Sequence, residues 1–337
     1  MEVHQLKLNL DRSLMPVFGS SEFIFVTDEP KLLSWLRGHD IETYLLDSVG
    51  ELPKPKRKNV VLLPTTGEGL SFFKLERFFK SSRLLIVPLV AFDPSFEAAV
   101  YTVNLLGVSD FEQATKENAS DFEQATKENA KWVSLLEGGE FERLVFKGAC
   151  GELEMLLKER VDLMLPRMEP ALLPGEWEAV GMFFEVAMIP DNEDFFHPGY
   201  IVNGELEVSG VAVAHHRVMP KHLTYLPTMA WELLGSLARE GGFPLRVKIE
   251  NSQLKEVRSS NGVDLTDKIR DFSNRELELM LVEMAISNNP GLDLPKVDWR
   301  VNSVLNEGIR GIHFAVGDGV TGAHIDFICP GMECSPS

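Results

Sequence analysis

The segment RLLIVPLVAF (83–92) is a nearly continuous apolar run. A run without alternation is what a strand buried on both faces requires, and such strands occur where helices cover a parallel sheet. The chain before it keeps the matching rhythm. EFIFVTD (22–28) is a short β-branched and aromatic run ending in Asp28, a candidate N-cap, with Pro30 placed to open a helix through Leu36. IETYLLDS (41–48) and NVVLLPTT (59–66) read as further strands, separated by the basic, proline-rich PKPKRK (53–58). Between Leu70 and Lys80, Phe72, Leu75, Phe78 and Phe79 fall on one helical face. This alternation predicts a small, truncated parallel α/β layer over residues 1–165. No Gly-x-Gly-x-x-Gly follows the first strand and no P-loop occurs. Gly67-Glu68-Gly69 is too short to cradle a phosphate, so the layer reads as a scaffold without a nucleotide.

A perfect tandem repeat follows. SDFEQATKENA occupies 109–119 and again 120–130. Eleven residues make just over three helical turns, so Phe111 and Phe122 fall on nearly one face. Each copy opens with a Ser-x-x-Glu capping pattern, and the pair predicts a lengthened surface helix. Residues 131–175 read as helical, with Leu153 to Leu165 amphipathic, and PRMEPALLPGE (166–176) reads as a linker. Beyond it, FFEVAMIP (183–190), GYIVNGELEVSGVAVAH (199–215) and PLRVKIENSQLKEVRS (244–259) predict strands, with turns at Asn203-Gly204 and Asn251-Ser252. Helices are expected over 223–240 and within 264–287. There Leu277, Met280, Leu281 and Met284 form a stripe that belongs to a core. The expected organisation is an α/β domain (1–165), a linker (166–176), an α+β domain (177–331) and a tail (332–337).

Charge and cysteine usage narrow the partners. The 337 residues carry 33 Lys and Arg against 51 Asp and Glu, a net charge of −18. That balance disfavours nucleic acid and anionic membrane surfaces, which reward clustered cations. No apolar stretch approaches the roughly 20 residues of a spanning helix. MEVHQLKLNL lacks the pattern of a signal peptide. Three cysteines, Cys150, Cys329 and Cys334, leave one unpaired in any disulfide scheme, and they point to a reducing, cytoplasmic setting.

The chemistry concentrates near the end, in GIHFAVGDGVTGAHIDFICPG (311–331). His313 stands on one expected strand and His324-Ile325-Asp326 on the next. Residues two apart in a strand share a face, so His324 and Asp326 project together and a hairpin sets His313 opposite them. Two histidines and a carboxylate form the facial set of non-haem iron and half of a zinc site. Glu185 and Glu283 are carboxylates in apolar surroundings, where a carboxylate needs a cation or hydrogen bonds. His215, His216 and His222 form a weaker candidate, because adjacent strand residues point to opposite faces.

Four segments resemble the thermophilic-type metalloaminopeptidases (aminopeptidase T family) and the dihydroxypyridine dioxygenases of the same architecture. They are EVAMIP with GYIVNGELEVSG, EMAISNNPG, NEGIRGIHFAVGDG, and AHIDF. The resemblance covers roughly 175–331 and implies that Glu185, Glu283, His313, His324 and Asp326 correspond to that family's metal-site positions. The departures carry equal weight. The connection between His313 and His324 is shorter than the family's, and Val320 stands where the family has a catalytic tyrosine. Phe183-Phe184 replace a Ser-Gly pair and are expected to fill space near the metal. Ser287 and Asn288 replace a Gly and a small polar residue. A two-part layout with a trimmed site also resembles the peptide-binding proteins of the crocagin pathway, which modifies a ribosomally made peptide.

Three functions follow from this set. One is a non-catalytic peptide-binding protein on a degenerate metalloenzyme fold; the others are a metal-dependent aminopeptidase and a non-haem iron dioxygenase. The expected cofactor is none, or a vestigial divalent site for zinc, iron or manganese. The expected partner is a peptide, with a homo-oligomer left open.

Overall fold

The computed structural model describes residues 3–51, 58–67, 69, 71, 75–76, 79–116, 143–158, 161–190 and 194–336. Most of the helix expected at 70–80, the second repeat copy and residues 131–142 lie outside the described residues. The protein is of the α/β class, built from one parallel sheet and two antiparallel ones.

The first part runs α1 (Val3–Phe18), β1 (Ile24–Thr27), α2 (Pro30–Gly38), β2 (Thr43–Leu45), β3 (Asn59–Leu63), β4 (Arg83–Ile86) and α3 (Phe96–Val108). The parallel sheet has the order β2-β1-β3-β4-β8, where β8 (Trp177–Ala179) arrives from much later in the chain. Alternate residues of each strand feed two cores. Phe25, Val61, Leu63 and Leu85 pack with α1, α2 and α3 through Leu6, Leu10, Leu36 and Val103. Ile24, Val26, Val60, Leu62 and Leu84 meet Leu46, Val49 and Phe79 on the other side. The cap of α2 is Glu29, which accepts from the Lys31 amide, and not Asp28 as expected. Asp28 instead reaches the end of β3 and accepts from the amide and hydroxyl of both Thr65 and Thr66. These donors stand at the carboxyl ends of β1 and β3, where the strand order reverses and where open α/β sheets place ligands. Here the chain's own carboxylate takes them.

The remaining strands form two six-stranded antiparallel sheets. The second sheet has the order β13 (Gln253–Arg258), β12 (Leu245–Glu250), β10 (Tyr200–Val208), β6 (Gly151–Leu157), β5 (Leu144–Gly148) and β17 (Glu333–Pro336). The third has β11 (Gly210–Ala214), β16 (His324–Pro330), β15 (Gly311–Val316), β14 (Leu281–Ser287), β9 (Glu185–Pro190) and β7 (Val161–Met164). They share one core, in which Phe146, Leu153, Val202 and Val247 of the second sheet meet Met284, Phe314, Ile325 and Phe327 of the third. Among the described residues, three further α-helices complete the fold: α4 (Tyr225–Arg239), α5 (Thr266–Phe272) and the single turn α6 (Val304–Glu307).

Several expectations are corrected. Within 153–165, read as a helix, residues 153–157 and 161–164 are strand. Leu153 and Met155 point into the core while Glu152 and Glu154 pair outward with Lys147 and Arg143 across β5. The local pattern fits either period, and the cross-strand partners decide it. Residues 281–287, the end of the expected core stripe, are also strand, although Leu277, Leu281 and Met284 are buried as expected. Asn203-Gly204 is not a turn but the middle of β10. A Cβ at Gly204 would lie 2.4 Å from the Glu152 carbonyl oxygen, so only glycine permits that strand spacing. Asn251-Ser252 is the expected turn, with φ of 53° and 59°. Sheet membership crosses 166–176 in both directions, since β5 to β7 belong to the antiparallel sheets and β8 to the parallel one.

Two contacts position the layers. The outer edge of β11 is finished by Asn302, whose amide accepts from the Val213 N–H at 2.9 Å and donates to the Val213 carbonyl at 2.7 Å. The described part of the first repeat copy has one face in the core and one in solvent: Phe111 is fully buried with Ala114 and Thr115, while Asp110, Glu112, Gln113 and Lys116 are exposed. Its ring lies 4.9 Å from those of both Phe183 and Phe184. The Phe pair therefore fills the core between the layers.

Phe111→Ala is expected to destabilise the protein by about 3–5 kcal/mol, read from urea melts. Deleting 120–130 leaves one complete SDFEQATKENA in place and is expected to leave a cooperative transition. An unfolded deletion variant with a tolerant Phe111→Ala would reverse this assignment.

Candidate functional site

Strand alternation builds the site. On β15, Ile312, Phe314 and Val316 face the second sheet, and on β16 Ile325, Phe327 and Cys329 do the same. His313 and Ala315, and likewise His324, Asp326 and Ile328, must then face the other side. Antiparallel pairing sets Ala315 opposite both Asp326 and Glu283, and Ser287 opposite Glu185. Glu283 comes into line through a bulge between Leu281 and Glu283. The structure thus brings all five expected residues onto neighbouring strands of one sheet.

Their polar atoms interlock. His313 Nε2 lies 3.5 Å from Glu283 Oε1, His324 Nε2 lies 3.5 Å from Glu283 Oε2, and His324 Nε2 lies 3.2 Å from Asp326 Oδ1. The second nitrogen of each ring is held from behind, His313 Nδ1 by Ser287 Oγ at 3.1 Å and His324 Nδ1 by the Gly317 carbonyl at 2.9 Å. His313 and Asp326 are each 2% exposed, so their charges must be answered inside the protein.

A sixth group, which sequence reasoning missed, sits among them. Glu307 is buried on the α6 turn and shares a side-chain hydrogen bond with Asp326, while its Oε1 has no hydrogen-bond partner among the described residues. The available signal was the segment NEGIRGIH itself, in which a glutamate stands six residues before His313.

The protonation states follow from these neighbours. Burial pushes Glu307 well above the usual carboxylate range, helped by the negative charge of Asp326, so Glu307 is the protonated donor of that pair. Burial likewise raises Glu185 to about 7, with His313 opposing it and Glu283 adding to it. Asp326 is lowered: burial would raise it, and the charge and hydrogen bond of His324 outweigh that. Burial by itself would lower both imidazoles. The Glu283 hydrogen bond and the charges of Asp326 and Glu185 bring His313 up to about 9. Asp326 and Glu283 bring His324 to about 10. Two imidazolium cations thus stand against the carboxylates of Glu283 and Asp326, with Glu185 close to its midpoint at neutral pH.

The donor set also fits a divalent ion. Carboxylates and imidazoles suit zinc, iron or manganese, and separations of 3.2–3.5 Å match those between ligands about 2.0–2.2 Å from a shared tetrahedral centre. The orphaned Glu307 oxygen is one more available ligand atom. As the side chains stand, no group of three or more His, Cys, Asp and Glu among the described residues converges as a ready ion site, because imidazoles and carboxylates point at each other. His313, His324, Asp326, Glu283 and Glu185 would hold the ion, which would supply Lewis-acid chemistry when bound.

The other candidates lie apart. His216 and His222 are exposed and His215 half-buried. A cavity of about 470 Å³ lies at the amino ends of β1 and β3, lined by Lys7, Asp11, Glu22, Asp40, Glu42 and Lys58. That is the end of the parallel sheet opposite to the usual ligand crevice.

The profile of the crocagin biosynthetic protein CgnE/B family matches residues 20–337. The chain belongs to this family. Its assignment there covers the parallel layer and both antiparallel sheets. No curated protein matches the chain. Among solved structures it is similar to 2,5-dihydroxypyridine dioxygenase from Pseudomonas putida KT2440, at 13% identity over 100% of this chain and 94% of that one, with a TM-score of 0.45. It is also similar to wild-type AmpT from Thermus thermophilus, at 14% identity over 98% and 94%, with a TM-score of 0.47. The crocagin family places the protein in natural-product biosynthesis. None of the described helices is long and apolar enough to cross a membrane.

Two outcomes test the site. Zinc, iron(II) or manganese(II) at a hundredfold excess over its Kd should raise the melting temperature by mass action, about 2.7 kcal/mol of stabilisation. His324→Ala should remove that shift, and a wild type indifferent to all three ions would show that the donors no longer bind metal. Separately, folding raises both imidazole pKa values, so the folded state keeps protons that the unfolded chain has released. In chelator-treated protein this stabilisation is complete below the free-imidazole value of about 6.5. It is lost as pH climbs through about 9 and then about 10. The urea midpoint should fall over that range, and His313→Gln with His324→Gln should flatten the fall.

Proposed function

We propose that this family member is a non-catalytic, peptide-binding protein of a pathway that modifies a ribosomally made peptide. The observation that carries the reading is the short connection from Gly317 to Ala323. Asp318 ties it into a tight turn by accepting from the amides of Val320 and Thr321 and from the Thr321 hydroxyl. Asn274 holds it from outside through Thr321 at 2.6 Å. Val320, an aliphatic residue, occupies the turn, so the loop beside His324 brings no phenol to serve as an acid or an oxyanion donor.

The apolar packing beside the charges supports the same reading. Val282 and Ala315, on the strands that carry Glu283 and His313, are buried with Leu277, and half-buried Phe195 packs against them. Apolar contact beside fixed charge suits a peptide side chain and a nearby polar backbone. Main-chain pairing of a peptide to β10, β11 or β13 is not part of this reading. β10 is interior, β11 is closed by Asn302, and the outer edge of β13 bonds to Leu265, Thr266 and Leu279.

Fluorescence anisotropy with a labelled precursor-type peptide tests this. Binding should survive removal of metal, weaken with salt if the peptide segment is basic, and lose about tenfold or more in affinity in Glu283→Gln with Phe195→Ala. No binding, combined with metal-dependent turnover of an aminoacyl or dihydroxypyridine substrate, would overturn the reading in favour of an enzyme.

A further inference from the structure

Cys150 and Cys329 lie 179 residues apart in the chain and meet in the fold. Cys150 sits in the turn joining β5 and β6, where Gly148 pairs with Gly151. Cys329 lies on β16 with its side chain in the core between the two antiparallel sheets. Cys150 is 8% exposed and Cys329 is fully buried, and both are free thiols. The two thiols lie close enough to shift each other's ionisation. Cys150 Sγ also donates to the carbonyl of Pro330 at 3.6 Å and lies 3.9 Å from Ser209 Oγ.

The meeting is built in. After Cys329 the chain leaves the third sheet at Gly331 and joins the second as β17, beside β5. A Cβ at Gly148 would lie 2.7 Å from the Gly331 carbonyl oxygen, so the two turns touch backbone to backbone. The Cys150 carbonyl accepts from the Glu207 amide at 2.7 Å, which pins the turn from its other side. The third thiol, Cys334, is on β17 and outside this contact.

We infer that Cys150 and Cys329 are a reversible redox pair that closes into a disulfide between the second and third sheets. The oxidant is a small disulfide such as oxidised glutathione. The Cys150 thiolate attacks one of its sulfurs, the S–S bond breaks, and one glutathione leaves as thiolate. The Cys329 thiol then gives up its proton and attacks Cys150 in the mixed disulfide, expelling the second glutathione. Two thiols and one glutathione disulfide thus become one protein disulfide and two glutathione thiols, with excess glutathione running the exchange backward. Cys150 suits the attacking role: the neighbouring Cys329 thiol lowers its pKa to about 7 against the opposing effect of burial. Cys329 is pushed well above the ordinary thiol value by the nearness of Cys150 and by burial, which suits the resolving role. The bridge would fasten the strand that carries His324 and Asp326 to the sheet behind it.

The test uses the full chain equilibrated across a glutathione series, with free thiols alkylated and counted by intact mass. Oxidation should remove two alkylatable thiols, and peptide mapping should join Cys150 to Cys329 while Cys334 stays free. Bridging so long a loop should raise the melting temperature by roughly 10 °C, reversed by excess reduced glutathione. Cys150→Ser should abolish both changes and Cys334→Ser should keep both. Three alkylatable thiols after full oxidation, or a bridge that maps to Cys334, would overturn the inference. If Cys329→Ser fails to fold, the map and Cys150→Ser still decide.

Discussion

Charge neutrality inside the third sheet is the constraint on which the rest of the structure depends. Glu185, Glu283, Glu307 and Asp326 share one face with His313 and His324, and two of these groups are almost wholly removed from water. An uncompensated charge there would cost about 3–5 kcal/mol, a large part of the stability of a typical domain. The arrangement solves this with two imidazolium ions and with a proton held between Glu307 and Asp326. It explains why Ser287 and the Gly317 carbonyl sit behind the rings. A rotated imidazole would break the balance, so each ring is held at both nitrogens.

The two antiparallel sheets and the parallel layer are joined by polar and aromatic contacts of a different kind. Tyr101 on α3 donates to Asn306, the neighbour of Glu307, and Thr102 meets Ser303 at the start of the same turn. Asn289 bridges Ser109 and Asp110 at the end of α3. Phe111 then seals the seam against Phe183 and Phe184. Glu307 therefore owes its position to the parallel layer as much as to the sheet it faces. That gives a physical reason for a layer with no nucleotide fingerprint to be kept.

The parallel sheet was legible because its strands are short apolar runs broken by turn residues, a pattern with few alternatives. That His313, His324 and Asp326 share one face was legible because period-2 spacing on adjacent strands is a geometric statement about faces; Glu185 and Glu283 were singled out by their apolar surroundings and by the resemblance. Glu307 escaped because its neighbours give no periodic signal, and its burial is set by Tyr101 and Ser303, which are remote in sequence. The reading of 153–165 as helix failed where local pattern is ambiguous and pairing with β5 and β10 decides. Asn203-Gly204 failed for a related reason: glycine serves turns and close strand approach alike, and only the position of the Glu152 carbonyl separates the two.

The Asn302 amide has a consequence beyond the fold of one molecule. A terminal strand with free N–H and C=O groups is a template for another strand, including the same strand of a second copy. By filling the Val213 positions with a side chain, the protein ends its third sheet without adding a strand that could slide or be exchanged. Asn302 is itself buried, so the side chain closes this edge from within the fold. Without it the Val213 N–H and carbonyl would stand unpaired away from water.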